Sequence, residues 1–431
     1  MKLFGARQIP ACALACALIT PTGFAAVPAS EPTAILTLSQ AIAATVAQNP
    51  DLRATAYELK AADAGITQAG LRPNPEVSLE VNGLAGSGIA RDAEERQVTL
   101  TLSQTLELGD KRGRRINVAA SNRELVGIEQ QARELDVLAE VTRRFIEVAS
   151  AQERLQLARE ASGLAERTAK AIAVRVEAAR TPQAELSRAQ IAVTRAHADE
   201  RQAESALRGA RRLLTAMWGN TEPRFDSARA DLLKLTPLEP FETLQQRIDR
   251  NPDFVRFASE ARLREAELRL AQAQSRPNLT VGVGLRRFQA TNDVGVTLGF
   301  SMAIPMFDRN QGAIAQARVR REQTGAQEEA ARIRAQAALF ALYQQLVANR
   351  DRLATLQSEA LPEAQAALDQ TQTGYERGRF SYLELAVAQQ ELVSLRSAVI
   401  DTATDYYRLT AEIERLTSES LTTATHSQDL P

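Results

Sequence analysis

Cysteine is missing from this chain after Cys16, and its only two cysteines, Cys12 and Cys16, stand near the start. The remainder of the chain can hold no disulfide framework, thiol nucleophile or thiolate metal site. Histidine is equally scarce: His197 and His426 are the only two, without the spacing of a ligand pair. No histidine stands where a Ser/His/Asp set could use it, and no glycine loop cradles phosphate. The sequence therefore reads as a non-enzyme with no catalytic residue, cofactor or metal site. Aromatics make up only 4%, low for an enzyme with a thick core and expected where small residues pack helix on helix. Fifty-two Lys and Arg balance 53 Asp and Glu, which leaves no basic excess for nucleic acid. Beyond the start no stretch of 18 apolar residues occurs, so no transmembrane helix is expected.

The beginning reads as an export signal, expected over residues 1–25. Lys2 and Arg7 form its basic part, and the apolar run at residues 11–19 is too short to span a bilayer. Gly23-Phe24-Ala25 and Val27-Pro28-Ala29 both offer small residues for cleavage. Lipid attachment at Cys16 is the other reading, although Ala13-Leu14-Ala15 lacks the usual aliphatic residue three places before it.

Two segments then stand out. In VTLTLSQTLELGDKRG, Val98, Leu100 and Leu102 alternate with Thr99, Thr101 and Ser103, the period of a strand with one apolar face. VTLGFSMAIPMFDRNQ repeats the device 198 positions later, pairing Val98 with Val296, Ser103 with Ser301 and Asp110 with Asp308 without a gap. Around each lies the same order of signals. Asn49-Pro50-Asp51 and Asn251-Pro252-Asp253 are turn and N-cap signals, and Arg72-Pro73-Asn74 and Arg276-Pro277-Asn278 stop a helix before a first strand. Val77, Leu79 and Val81 alternate there in one copy, and Leu279, Val281, Val283 and Leu285 in the other. Long helical patterns come next, at about residues 115–180 and 312–375, then turns and return helices. This divides the chain into repeat 1 (26–219), a proline-bearing linker (220–240), repeat 2 (241–417) and a polar, disordered tail (418–431). The short helical stretches 38–70 and 183–218 hold 33 and 36 residues, together 69, against 66 in the long helix of residues 115–180. Two short helices laid end to end thus match one long neighbour, as in a wall of uniform height.

Four alternating strands suit a membrane β-barrel with apolar side chains to lipid and polar or glycine positions to a lumen. Four cannot close, and unpaired edges are not tolerated in lipid, so several chains are needed. A periplasmic β-sandwich with a helical arm would also alternate, and a coiled-coil scaffold would explain the helices without the strands.

These residues resemble the TolC-like outer-membrane efflux proteins over nearly the whole chain. The most specific parts are Gln68-Ala69-Gly70-Leu71-Arg72-Pro73-Asn74-Pro75 and Ser103-Gln104-Thr105-Leu106-Glu107-Leu108-Gly109-Asp110-Lys111-Arg112. The latter motif most resembles the heavy-metal branch, the cobalt–zinc–cadmium (Czc-type) and nickel systems of the resistance-nodulation-division (RND) class. The resemblance implies an α+β membrane protein in the outer membrane of a Gram-negative bacterium. It implies a homotrimer whose twelve-stranded β-barrel stands in outer-membrane lipid on a helical coiled-coil tunnel in the periplasm. It also implies a periplasmic adaptor (membrane fusion) protein and an inner-membrane RND pump, with the channel passive and heavy-metal cations its cargo. A channel of the same fold for drugs or peptides is the alternative.

In that family the helical turns form the tunnel tip, closed at rest and facing the adaptor. The corresponding residues are Glu177, Thr181, Pro182 and Glu185 in the first turn and Tyr375, Gly378, Phe380, Ser381 and Glu384 in the second. Glu384 matches an acidic residue lining the entrance, with Glu185 its counterpart by the repeat. Phe380 and Val387 stand where a basic and an acidic gate residue are expected, which points to a gate held by packing. Carboxylates there would concentrate cations, or would only favour a helix N-terminus. Met302 and Met306, four apart, read as packing rather than a soft-metal pair.

Overall fold

A computed structural model describes residues 34–84, 96–235 and 237–418. The export signal, both cysteines and the tail beyond Ser418 lie outside the described residues.

Strand β1 (Ile35–Leu36) leads into helix α1 (Leu38–Gln48), which opens with a reciprocal capping box between Thr37 and Gln40. Helix α2 (Pro50–Ala69) begins at once, with Pro50 at its first position and Asn49 as N-cap. Strands β2 (Glu76–Asn82) and β3 (Gln97–Leu106) pair antiparallel. Helix α3 (Lys111–Glu177) then runs 67 residues without a break, roughly 100 Å at the usual rise. It returns as α4 (Gln183–Ala216). After strand β4 (Ser227–Ala228) and helix α5 (Phe241–Arg247), the same order recurs. Helix α6 (Pro252–Gln274), strands β5 (Leu279–Phe288) and β6 (Val294–Met302), helices α7 (Gln311–Thr355) and α8 (Leu361–Glu376) and the return helix α9 (Tyr382–Thr417) complete it. Helix α3 packs against α1, α2 and α4; the stretch expected as one short helix over residues 38–70 is two, split at Asn49, so three shorter helices accompany the long one.

Three further features depart from the sequence reading. The helix expected over residues 312–375 is interrupted by a π-helical turn, Leu356–Ala360, just before Pro362. Proline lacks an N–H and its ring crowds the carbonyl four residues back, and one widened turn absorbs both defects. The ungapped pairing of Asp110 with Asp308 also fails. The left-handed residue that opens the long helix is Asp110 in the first half and Asn310 in the second, an offset of 200, so the second connection is two residues longer. Finally, residues 220–240 are more than a tether. Strand β4 pairs parallel with β1, Phe225 joins the core of Val141, Phe145, Leu207 and Trp218, and Leu232 packs on Leu353 and Val399.

The Asn-Pro-Asp signals do more than start helices. Asn49 caps α2 through its side-chain oxygen and donates its amide to the Met217 carbonyl, 2.7 Å away at the end of α4. Asn251 does the same 202 residues later, accepting from Asp253 and donating to Arg415 O at 2.8 Å and Leu416 O at 3.0 Å, at the end of α9. Both asparagines are buried. Each satisfies orphan groups of two helices at once, a donor end and an acceptor end.

Candidate functional site: an amphipathic sheet and a two-turn tip

At one end, β2, β3, β5 and β6 form one antiparallel sheet in that order. The register aligns every strand's period. Val77, Leu102, Val283 and Leu298 lie in one row, and Leu79, Leu100, Leu285 and Val296 in the next. Gln104 and Arg287 interrupt an otherwise apolar surface on this face. The opposite face carries Ser78, Glu80, Thr101, Ser103, Gly282, Gly284, Thr297 and Ser301, with Arg286 donating to Thr99 Oγ1 at 3.0 Å. Gly284 must lack a side chain, since a Cβ there would lie 2.7 Å from Thr297 Oγ1 and 2.8 Å from Thr101 Oγ1. The apolar face is largely uncovered by the described residues of its own chain: Val296 is 70%, Leu298 72% and Phe300 71% exposed. So many large apolar side chains in one uncovered surface mark a face that meets lipid or protein. Both sheet edges, β2 and β6, are unpaired among the described residues. No helix among the described residues is long and apolar enough to cross a membrane.

At the far end, the α3–α4 and α8–α9 turns have the same backbone. Arg180 N–H bonds to Arg175 O and Ala179 N–H to Val176 O; Arg379 bonds to Gly374 O and Gly378 to Tyr375 O. Each is a Schellman closure with its left-handed residue at Ala179 (φ 56°) or Gly378 (φ 73°). Ile172 and Ala189 of the first hairpin and Leu368, Tyr375, Tyr382, Leu385 and Leu392 of the second share one buried cluster. The two turns are therefore one packed tip.

The structure brings Thr181, Glu185 and Tyr375 together there. Burial raises the Tyr375 hydroxyl pKa, the Arg175 charge opposes it and Glu185 adds to it. Burial likewise raises that of Tyr382, with Tyr375 and Glu185 adding to the effect. The residue that joins the turns is Arg175, which the sequence reading missed. Its guanidinium donates to Tyr375 O at 2.9 Å and sits 4.7 Å from the Tyr375 ring centroid. A cation over the exposed carbonyls at the end of α8 complements that helix end. An arginine in the last turn of α3 was the available signal; which helix it would reach was not.

The remaining tip residues separate. Glu384 is committed to a capping box: its carboxylate accepts from Ser381 N–H at 2.7 Å and Ser381 Oγ at 2.8 Å. These bonds hold its pKa below the usual carboxylate range. Glu185 has no such partner because its turn places Pro182 where Ser381 stands, and α4 starts without a side-chain cap. Glu177 is exposed at the end of α3. Phe380 folds its ring onto Gly374, where an added Cβ would collide with it. Val387 and Leu383 are exposed on α9.

His197 is not isolated: its Nε2 lies 3.0 Å from Glu166 and its Nδ1 3.9 Å from Glu200. Among the described residues no group of three or more His, Cys, Asp or Glu side chains is placed to hold a metal ion. Met302 lies on the uncovered apolar face and Met306 just beyond it, both exposed within the chain.

An amphipathic sheet uncovered by the described residues, on a shaft of paired long helices, gives a fold of the membrane-channel class. The family model described as outer membrane efflux protein matches residues 41–220 and again 243–419, and the chain belongs to that family. It is similar to the cobalt-zinc-cadmium resistance protein CzcC of Cupriavidus metallidurans, with 32% identity over 88% of this chain and 90% of the relative. It also resembles the nickel-cobalt-cadmium resistance protein NccC of Alcaligenes xylosoxydans xylosoxydans, 27% identical over 70% of this chain and 69% of that one. Among solved structures, the outer membrane protein VceC of Vibrio cholerae shares the fold, with a TM-score of 0.71 and 17% identity over 89% of this chain and 96% of that one.

Proposed function

We propose that this chain is the outer-membrane channel of a three-component efflux system that carries heavy-metal cations of the cobalt, zinc, cadmium or nickel kind out of the cell. The observation that carries the cargo is the 32% identity, over almost the full length of both chains, with a relative named for cobalt, zinc and cadmium resistance. Three copies of the four-stranded sheet would supply a twelve-stranded barrel, apolar face to lipid and polar face to the lumen. The two halves, 26–219 and 241–417, act as two copies of one unit. In support, the family model matches twice and the element order recurs. The helices would continue the lumen as a tunnel across the periplasm, ending at the tip of Glu177, Thr181, Pro182, Glu185, Tyr375, Gly378, Phe380, Ser381 and Glu384. There the channel would meet a periplasmic adaptor and, through it, an inner-membrane RND pump.

The channel itself moves cargo passively, and the pump supplies the energy. Within the tip, roles divide by what each carboxylate is bonded to. Glu384 holds the start of α9, leaving Glu185 and Glu177 as the carboxylates free to favour cations at the entrance. Phe380 on Gly374 and Arg175 on Tyr375 hold the turns by packing and capping.

The test is a susceptibility panel on cells lacking the chain, covering zinc, cobalt, cadmium, nickel, copper and silver beside dyes, bile salts and antibiotics. Sensitivity confined to divalent metals, with raised cell metal content, is expected. Sensitivity to dyes and antibiotics alone would keep the channel and reject its cargo.

A further inference from the structure

The internal repeat specifies how a second copy would seat on the free sheet edges, residue by residue. Within the chain, the β3–β5 pairing joins the second strand of one half to the first strand of the other. The repeat carries β3 onto β6 by 198 positions (Val98 to Val296) and β2 onto β5 by 204 (Arg72 to Arg276). Both offsets hold in the structure. The β2–β3 pairs Val77 with Leu102 and Leu79 with Leu100 become Val281 with Phe300 and Val283 with Leu298, which are pairs of β5–β6.

We infer that β6 of one copy pairs antiparallel with β2 of the next in the register Met302 to Val77, Ser301 to Ser78, Phe300 to Leu79, Gly299 to Glu80, Leu298 to Val81 and Thr297 to Asn82. Each pair is the transform of an observed one. Leu102 opposite Val283 gives Phe300 opposite Leu79, and Ser103 opposite Gly282 gives Ser301 opposite Ser78. The inference rests on the barrel reading above and adds what that reading lacks, the register of the seam.

An independent feature agrees. A one-residue slip would exchange the faces of one strand and set its apolar row against polar positions. The derived register keeps Met302, Phe300 and Leu298 beside Val77, Leu79 and Val81, so the apolar face continues unbroken into the next copy. It also supplies a cover for the segment after β6. Inside the chain, the segment after β3 lies over the start of β5, with Lys111 Nζ donating to Asn278 Oδ1 at 2.6 Å. The equivalent segment after β6 is uncovered by the described residues, and Ile304 (75%), Met306 and Phe307 (89%) are bare. Arg72-Pro73-Asn74 precede β2 as Arg276-Pro277-Asn278 precede β5, so the derived register sets this segment, two residues longer than its counterpart, over them in the next copy. The contact is head-to-tail, so it closes only as a ring.

Cysteine pairs test this directly, since the chain has none after Cys16. Ser78→Cys with Ser301→Cys places both thiols on the polar face, where an oxidant in water reaches them. Directly opposed residues have Cα atoms about 4.5–5.5 Å apart, within disulfide reach; diagonal neighbours at roughly 7–8 Å are not. Oxidising full-length protein in outer-membrane vesicles should give multi-chain bands on a non-reducing gel that collapse on reduction. Either single variant should give none, because a head-to-tail seam never sets a residue against itself. The shifted pairs Ser78→Cys with Gly299→Cys and Glu80→Cys with Ser301→Cys should link at least tenfold more slowly. Faster linkage in a shifted pair would overturn the register while leaving the closed barrel intact. No linkage in any pair, with a multi-chain mass in detergent, would overturn the seam. No linkage with a single-chain mass would overturn the barrel reading too, whereas the metal panel judges the cargo separately.

Discussion

The two turns at the tip reach the same geometry with different residues. At an offset of 199, Arg175 faces Gly374, Ala179 faces Gly378, Thr181 faces Phe380 and Pro182 faces Ser381. Both turns nevertheless make the same Schellman hydrogen bonds. In the second turn glycine supplies the left-handed residue, Phe380 fills the space over Gly374, and a capping box starts the return helix. The first turn has a strained alanine and no cap, but it sends Arg175 across to hold the end of α8. The second turn has its own glycine and capping box and also receives Arg175; the first supplies that arginine and has no side-chain cap. Backbone geometry is thus the shared property, and the means of enforcing it differs between the two turns.

The largest expected effects lie at the two asparagines that make the same bonds. Asn251→Ala should remove the cap of α6 and leave the Arg415 and Leu416 carbonyls without the donor that Asn251 supplies. Losing a cap costs about 1 kcal/mol and orphaning a buried acceptor about 1–3 kcal/mol, so roughly 2–4 kcal/mol is expected. Asn49→Ala orphans one carbonyl, Met217 O, and should cost somewhat less. Denaturant midpoints of the purified channel in detergent check this. Negligible shifts in both would show that neither asparagine holds its helix ends, and a large shift in one alone that the two are not structural equivalents.

Next comes the contact that only one half possesses. Arg175→Ala should cost about 1–2 kcal/mol, from the lost helix-end cation and the ring contact. Its readout is hydrogen exchange at the α8–α9 turn, which should speed up although the change is in α3. Faster exchange confined to the α3–α4 turn would mean that the tips are not coupled through this residue.

The left-handed positions then test the turns by exchange of residues. No atom stands within 4 Å of a Cβ added at Gly378, so Gly378→Ala isolates backbone strain and should destabilise by about 1 kcal/mol. Ala179→Gly should relieve the same strain and stabilise by about 0.5–1 kcal/mol. Changes of the same sign in both variants would refute the equivalence of the two turns.

How much of this was legible in the sequence depends on the range of each interaction. Strand alternation and the Asn-Pro-Asp caps are local patterns, and each forms as its spacing implies. The row of Val77, Leu102, Val283 and Leu298 required only that two hairpins keep the same period. What stayed hidden depends on partners far along the chain or on local geometry without a periodic signal. The Asn49 amide reaches a carbonyl 168 residues away, and Arg175 reaches one 200 residues away. Pro362 marks a defect in a helix, but its spacing does not say whether the helix kinks, ends or widens into a π turn. The two added residues before Asn310 were invisible to an ungapped match because Asp308 coincides with Asp110 in identity but not in structural role. At the tip, the family resemblance pointed to these turns without distinguishing a carboxylate that caps from one that is free.

That last distinction sets the smallest and most specific expectation. Glu384 has a folded-state pKa below its ordinary value because Ser381 donates to its carboxylate from backbone and side chain. A carboxyl whose pKa is lowered on folding adds stability above the ordinary glutamate range, near 4.3, and loses it as pH falls through the lower folded value. Glu384→Gln should therefore loosen the start of α9 at neutral pH and make progressively less difference as both proteins are taken below about pH 4. Glu185→Gln, which breaks no cap, should disturb the start of α4 less than Glu384→Gln disturbs that of α9 at neutral pH, while lowering cation conductance through the channel at low salt. Hydrogen exchange at residues 382–386 and 183–187, with single-channel conductance, separates the two. If Glu384→Gln changed conductance and left exchange untouched, the carboxylate would be an entrance group after all, and the division of roles between the two turns would be reversed.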